Sequence, residues 1–299
     1  MKIVVIGGGI SPEREVSLKS SRAVFEAAMK AGYDADYYDW QGETAWFEGK
    51  SSLYDLAIPI LHGVGGEDGQ IQQLLENANL PFVGTDSKVS AICMDKELTR
   101  YVLSENDILT PQGQVVSQKE YEKSSFVARP HVLKPALGGS SIDTFILKDS
   151  PFLADSSQLT IAFERNSKML VEEYICGVEI TVPVLEGYTL PIIEIVPPKG
   201  KVFDYENKYN GSTEEFCPPQ NVSEDDQKVS QELGLKVHTL LGARHFSRVD
   251  MIISQNGIYV LELNTIPGMT NQSLFPKAAE AAGLSMISLV DHLIKLAIR

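Results

Sequence analysis

The sequence predicts a mixed architecture: an N-terminal α/β unit with a small parallel sheet, followed by α+β modules with antiparallel strands. Three observations carry this. Residues 2–40 run from a short apolar stretch through a helix-length segment to a second β-rich stretch, the β-α-β order of a parallel sheet. Beyond residue 86 short strand-like runs follow one another with turns between them. Near the end, two β-rich runs are separated only by Gln255-Asn256-Gly257, a hairpin signal.

In order, residues 2–6 (KIVVI) form a buried strand running into Gly7-Gly8-Gly9, and a helix follows to about Ala31. ADYYDW and LAIPIL are the next strands, GQIQQLLENANL is helical and PFVG is a fourth strand. Residues 89–106 read as one amphipathic helix, and GQVVS, HVLKP, DTFIL and SKMLVEEYI as strands. EITVPVL and TLPIIEIVP, a charged loop at 202–220, a helix at 225–241, the hairpin and a final helix to Leu296 complete the chain. The changes of pattern divide it into units 1–86, 87–175 and 176–299.

The 299 residues are 43% hydrophobic and 22% charged, ordinary for a globular chain, with formal net charge −14. There is no Lys/Arg cluster, so nucleic acid and anionic membrane are excluded as partners. Cys93, Cys176 and Cys217 form no CxxC pair and suggest neither zinc nor a disulfide framework, which points to a reducing, cytoplasmic setting. The opening apolar run is too short for a signal peptide, and no stretch approaches the ~20 apolar residues of a membrane span.

Simple nucleotide fingerprints fail. GxGxxG after the first strand would need Gly where Pro12 stands, and Gly49-Lys50-Ser51 lacks the leading Gly of a P-loop at Thr44. The stretch HVLKPALGGSSID is a better phosphate candidate: Lys134 ends a strand, and Gly138, Gly139, Ser140 and Ser141 offer backbone N–H donors, although a Gly/Ser surface turn reads the same way. The hairpin raises a charge problem. With a three-residue loop, Ser254 pairs with Ile258, Ile252 with Val260, Asp250 with Glu262 and Arg248 with Asn264, all on one face. Two opposed carboxylates repel and call for a cation, and Asp, Glu and Asn oxygens suit Mg²⁺. A two-residue Asn-Gly turn would instead set Asp250 opposite Leu263 and leave a surface hairpin.

Taken in order, EREVSL (13–18), LHGVGGEDG (61–69), SAICMDK (90–96), VLKPALGGSS (132–141), DYENKY (204–209) and RVD…ELNTIPGMTNQSL (248–274) resemble the D-alanine–D-alanine ligases of the ATP-grasp superfamily. The resemblance implies an ATP-grasp fold, with a substrate-binding unit at 1–86, a central subdomain at 87–175 and a catalytic one at 176–299. It implies ATP-dependent joining of two D-alanines through an acyl phosphate, for peptidoglycan precursors, in a cytoplasmic homodimer formed through the N-terminal unit. By the same resemblance Asp250, Glu262 and Asn264 hold two Mg²⁺ ions, with Mn²⁺ as a substitute, and Lys96 and Lys134 contact the ATP phosphates. Glu172, Ile175 (through its backbone) and Glu179 hold adenine and ribose. Arg248 and the Gly268 N–H stabilise an oxyanion. Glu13 takes the first substrate's ammonium, with Val16 and His62 lining that subsite, and Lys208, Ser273 and the Leu274 N–H hold the second carboxylate. Ser140 and Tyr209 link with Glu13 to close a lid.

Without the resemblance, Lys96 reads as a solvated helix lysine and Glu179 as a strand-edge charge. Two positions depart from the family: Gly138 stands where an acid is usual and Asp143 where Gly is usual, and Asp143 is expected to bring negative charge near the triphosphate. Lys19-Ser20-Ser21 replaces a more usual x-Ser-Gly. The competing readings are another ATP-grasp carboxylate–amine ligase and a nucleotide-binding sensor without turnover.

Overall fold

The computed structural model describes residues 1–139, 142–149, 155–198 and 213–299. Strand β1 (Lys2–Gly8) pairs in parallel with β2 (Asp34–Trp40) and β3 (Leu56–Pro59), in the order β2-β1-β3. Ile3, Val4, Val5 and Ile6 are all fully buried, as a central parallel strand covered on both faces must be. Helix α1 (Arg14–Lys30) makes the crossover and turns buried Ser17, Ser20 and Ser21 inward, at the i, i+3, i+4 spacing of one helix face. A Cβ on Gly7 would lie 1.9 Å from Ser21 Oγ, so the helix meets the strand where both carry small groups. The expected fourth strand is reduced to one parallel bridge, Ala57↔Phe82. Pro81 has no N–H to extend the ladder, and Gly84 at φ +113° carries the chain away.

After α2 (Ala45–Gly49) and α3 (Gln70–Asn77), the expected single helix at 89–106 is two: α4 (Ser87–Met94) and α5 (Lys96–Ser104). Asp95 breaks the run in an extended conformation, and its carboxylate accepts from the Glu97 and Leu98 N–H groups as the cap of α5. An aspartate competes for backbone donors in this way, which apolar periodicity does not register. Next come β4 (Gly113–Val116), α6 (Gln118–Glu122), β5 (His131–Pro135), β6 (Phe145–Leu147), α7 (Ser156–Arg165) and β7 (Met169–Glu173). Their strands form an antiparallel sheet of order β4-β7-β5-β6.

The largest sheet has the order β11-β10-β8-β12-β13, with β9 paired to β8. Its strands are β8 (Val178–Leu185), β9 (Tyr188–Thr189), β10 (Ile193–Val196), β11 (Glu214–Phe216), β12 (Phe246–Ser254) and β13 (Gly257–Asn264). Helix α8 (Glu224–Leu241) lies across it, so close at Gly234 that a Cβ there would be 2.6 Å from Val182 Cγ1. The expected final helix is also two, α9 (Leu274–Ala281) and α10 (Met286–Ala297), with Gly283 at φ +82° between them. Both helices share one buried core with α1 and β3, so the C-terminus closes the N-terminal unit.

The hairpin corrects half of its expected register. Its connection is tight, Ser254↔Gly257, followed by Ile253↔Ile258, Ile252↔Tyr259 and Met251↔Val260. A bulge at Leu261 then restores Asp250↔Glu262 and Arg248↔Asn264. Val260 therefore faces the apolar core with Met251, both fully buried, rather than sharing a face with Ile252. The bulge also lets the consecutive residues Leu261 and Glu262 both face the same cavity.

Candidate active site

That cavity, about 460 Å³, lies where the four-stranded sheet faces the largest one, and its walls include Lys96, Lys134, Glu172, Ile175, Glu179, Asp250 and Glu262. Each element delivers its residue for a local reason. The α4–α5 break leaves Lys96 as the first residue of α5, buried rather than solvated. Lys134 and Glu172 come from the neighbouring strands β5 and β7, in register at Val132↔Glu172. Glu179 lies on β8, and Asp250 and Glu262 on the hairpin.

The charges are matched across the space. Glu172, 3% exposed, receives Lys134 Nζ at 2.5 Å and Arg100 Nη1 at 2.7 Å. Arg100 follows Lys96 by one helical turn, a signal present in the sequence but not used in reading it. Lys96 Nζ donates to the Gly138 carbonyl and stands 3.6 Å from Glu262 Oε2. Asp250 is held by Arg248, by Thr181 Oγ1 at 2.7 Å and by Asn264 Nδ2 at 3.1 Å, and Arg248 donates to Thr181 Oγ1 at 3.0 Å. Thr181 is a further residue the sequence reading missed; with Glu179 it forms the polar alternation on β8, and it pairs directly with Asp250. Glu194, 1% exposed, lines the same cavity and was also missed. Burial raises its carboxyl, but bonds from Asn221 Nδ2 (2.7 Å), Asn221 N (2.8 Å) and Gln220 N (2.7 Å) outweigh that and hold it below the usual carboxylate range.

Asp143 is engaged by side chains of its own subdomain, beside Thr144, which lines the cavity. It sits at φ +54°, and its carboxylate is held by Arg165 Nη1 at 3.2 Å and Asn166 Nδ2 at 2.9 Å. Its negative charge is thereby drawn to the end of α7, and the residue is not among those lining the cavity.

Beyond the cavity lie the other predicted residues. Glu13 is buried at the start of α1, and Gly63, at φ +72° where a side chain is strained, passes so close that a Cβ there would lie 2.5 Å from Glu13 Oε2. A Cβ on Gly139 would be 3.7 Å from Glu13 Oε2 and 3.9 Å from Glu67 Oε2, so two carboxylates flank this loop; Glu67 was missed. Val16 is half-buried on α1, and its N–H bonds the Glu13 carbonyl. His62 is buried with both ring nitrogens engaged, Nδ1 3.1 Å from the Ile266 carbonyl and Nε2 3.1 Å from Ser20 Oγ. Ser273 precedes α9, and its Oγ accepts from Thr270 N at 3.0 Å; Leu274 is the first residue of that helix, and Gly268 is packed against Ser273. Ser140, Lys208 and Tyr209 lie outside the described residues.

Among the described residues no three His, Cys, Asp or Glu side chains cluster as a metal site. Asp250, Glu262 and Asn264 are a smaller oxygen set on one end of a hairpin. Such a set fits a hard cation that completes its shell with phosphate oxygens and water, because Mg²⁺ uses few protein carboxylates at such sites. The cations beside both carboxylates show that this pocket is built to keep their charge balanced.

Two family models match the chain: "D-ala D-ala ligase C-terminus" over residues 101–295 and "D-ala D-ala ligase N-terminus" over 48–85. The chain belongs to the D-alanine–D-alanine ligase family. Among its relatives, D-alanine–D-alanine ligase A of Clostridium perfringens (strain 13) is 38% identical, covering 100% of this chain and 99% of that one. A D-alanine–D-alanine ligase of Syntrophotalea carbinolica is 39% identical over 98% of this chain and 95% of its own length. The D-alanine–D-alanine ligase of Bacillus anthracis complexed with ATP superposes with a TM-score of 0.84 at 32% identity, covering 100% and 98% of the two chains. The VanG D-Ala:D-Ser ligase of Enterococcus faecalis gives 0.82 at 32% identity, covering 99% of each. The ATP-grasp fold expected from the motifs is therefore the fold of this family member.

Proposed function

We propose that this ligase family member joins two D-alanines to D-alanyl-D-alanine at the expense of ATP, forming ADP and phosphate, for peptidoglycan precursors in the cytoplasm. The observation that carries the reading is the cavity in which Lys96, Lys134 and the Asp250–Glu262 pair converge. Lys96 and Lys134 bind the phosphates, and Ile175 and Glu179 with Glu172 hold adenine and ribose. Mg²⁺, as two ions on Asp250, Glu262 and Asn264 and replaceable by Mn²⁺, supplies neutralisation of the phosphoryl charge when bound.

A carboxylate is a poor electrophile, so the first D-alanine carboxylate attacks the γ-phosphorus, ADP departs and an acyl phosphate forms. The amine of the second D-alanine then attacks its carbonyl carbon, and phosphate leaves with the bonding electrons. Arg248 and the Gly268 N–H stabilise the oxyanion between these events. Glu13 pairs with the first substrate's ammonium in a subsite framed by Val16 and His62. Ser273, the Leu274 N–H and Lys208 hold the second substrate's carboxylate, and Ser140 and Tyr209 complete a closure that excludes water from the acyl phosphate. The same reading divides the protein at 86/87 and 175/176, in keeping with sheets that each fall inside one unit, and pairs two copies through the N-terminal units.

The test is phosphate release with Mg²⁺-ATP and D-alanine, L-alanine, D-alanine plus D-serine, or D-alanine plus D-lactate, with product masses. D-alanyl-D-alanine from D-alanine alone is expected. A mixed D-alanyl-D-serine product made in preference to the dipeptide would shift the second substrate, and ATP binding without turnover would favour the sensor reading. Light scattering at micromolar concentration checks the dimer.

A further inference from the structure

Three buried hydroxyl groups of the N-terminal unit grip the loop that carries His62. His62 N donates to Ser17 Oγ at 2.8 Å, and Ser11 Oγ donates to the His62 carbonyl at 2.6 Å. Ser20 does something different: it reaches across to the C-terminal catalytic loop. Met269 N donates to Ser20 Oγ at 3.2 Å, Ser20 Oγ meets His62 Nε2 at 3.1 Å, and His62 Nδ1 meets the Ile266 carbonyl at 3.1 Å.

The proton order of this ring of contacts follows from what each atom can do. The Ile266 carbonyl only accepts, so Nδ1 carries the ring proton. In the neutral ring Nε2 is then an acceptor, so Ser20 O–H donates to it, which leaves the Ser20 lone pairs for the Met269 N–H. The three contacts are consistent in donor and acceptor and lie in full burial: Ser20 is 0%, Met269 0%, Ile266 3% and His62 5% exposed. Such a network is stiff, because each broken link would leave a polar group unpaired in the interior. It spans Ile266 to Met269, and the residues it brackets include Gly268.

We infer that Ser20 is a positioning residue for the second half of the reaction: through His62 and Met269 it fixes the Gly268 N–H against the N-terminal unit that holds the first substrate. His62 in this arrangement spends both ring nitrogens on protein atoms and acts by holding the loop. The inference rests on the ligase reading, and the role it adds concerns attack on the acyl phosphate rather than ATP use. A misplaced oxyanion donor slows amine attack while phosphoryl transfer continues, and the stranded acyl phosphate is then lost to water.

Ser20→Ala and Ser20→Cys in the full chain test it, each compared with the wild type for the ratio of phosphate released to dipeptide formed, for KM of ATP and for hydrogen exchange at residues 265–270. For Ser20→Ala we expect dipeptide kcat to fall about 10- to 100-fold, the phosphate-to-dipeptide ratio to rise above that of the wild type, KM for ATP to stay unchanged, and exchange at 265–270 to quicken while 178–185 keeps its protection. Ser20→Cys, similar in size with a weaker donor, should recover part of the rate and coupling; it carries the same test if the alanine variant does not fold. Wild-type coupling with normal exchange in the variants overturns the inference, as does a rate loss with the coupling ratio unchanged. A wild-type protein that makes no dipeptide would sink the ligase reading instead, whereas the exchange comparison still reports on the clasp.

Discussion

At the cavity end of the site, Lys134, Glu172, Lys96, Glu262 and Asp250 line about 460 Å³ of open space, and each is paired with an opposite charge, Glu172 also with Arg100 and Asp250 with Arg248 behind them. Past the end of β13, Ser20, His62, Ile266 and Met269 are joined by hydrogen bonds in full burial. The first arrangement can exchange partners when an anionic ligand and a cation arrive, since each charge keeps a counter-charge throughout. The second cannot exchange anything cheaply, because a broken bond there has no water to replace it. On the proposed reading, charge pairs thus suit the end that would bind and release a polyanion, and neutral networks the end that would hold an oxyanion donor still.

Substitutions can break that contrast, and the largest effect is expected on catalysis. Glu262→Gln removes one charge from a side chain 28% exposed, so stability should barely change. Turnover should fall roughly a thousandfold, from several kcal/mol of lost cation binding, and magnesium titration followed by ATP-binding fluorescence should show a weaker metal-dependent step. A melting temperature that drops with the rate would mean that this end is as rigid as the other.

Next comes Glu172→Ala, which leaves Arg100 and Lys134 facing each other without their shared carboxylate; breaking such a buried pair costs about 3–5 kcal/mol, measured by urea unfolding. Glu172→Gln should cost less, since it keeps hydrogen-bond acceptance. Equal losses for the two would show that packing, not charge, sets the cost.

A pH titration probes buried neutral contacts elsewhere. Burial lowers His238 from the ordinary 6.5 to about 4, and burial with nearby Arg244 and His238 does the same to His245. His238 Nδ1 meets Ser247 Oγ at 2.7 Å, and His245 Nδ1 accepts from Gly84 N at 2.8 Å. The unfolded chain therefore takes up protons first, so their contribution is complete above about 6.5 and declines as pH falls toward about 4. The urea midpoint should drop across that window, and His245→Asn should flatten the drop. An unchanged slope would remove His245 from the account.

The smallest effect is local. Asp95→Ala removes the cap that splits α4 from α5, at about 1 kcal/mol, and should let the two helices fuse in part, raising helical circular dichroism and weakening ATP binding through Lys96.

Much of the fold was legible because periodicity reports which face is buried. The strands at 2–6, 34–40 and 131–135 and the helix at 14–30 fall where the apolar pattern places them. The pattern failed where a single polar residue or glycine overrode it: at Asp95, at Gly283, and at Gly84 after a strand left as one bridge. The hairpin shows both outcomes. Its Asp250↔Glu262 pairing was readable from alternation, but the route to it was not, since a tight turn plus a bulge reaches the same register as a longer loop.

The sequence by itself determined the order of the elements, the opposed carboxylates and the ligase motifs, because these depend on spacing along the chain. Only the tertiary structure decided their partners: Arg100 on Glu172, Thr181 on Asp250, Arg165 and Asn166 on Asp143, and Ser20 between His62 and Met269. Ser20 and Met269 are separated by 249 residues, and a contact over that distance is set by how α1, Ile266, Met269 and the C-terminal helices share one core. Side-chain chemistry fixes what a residue can bond, and packing fixes which of the possible partners is within reach.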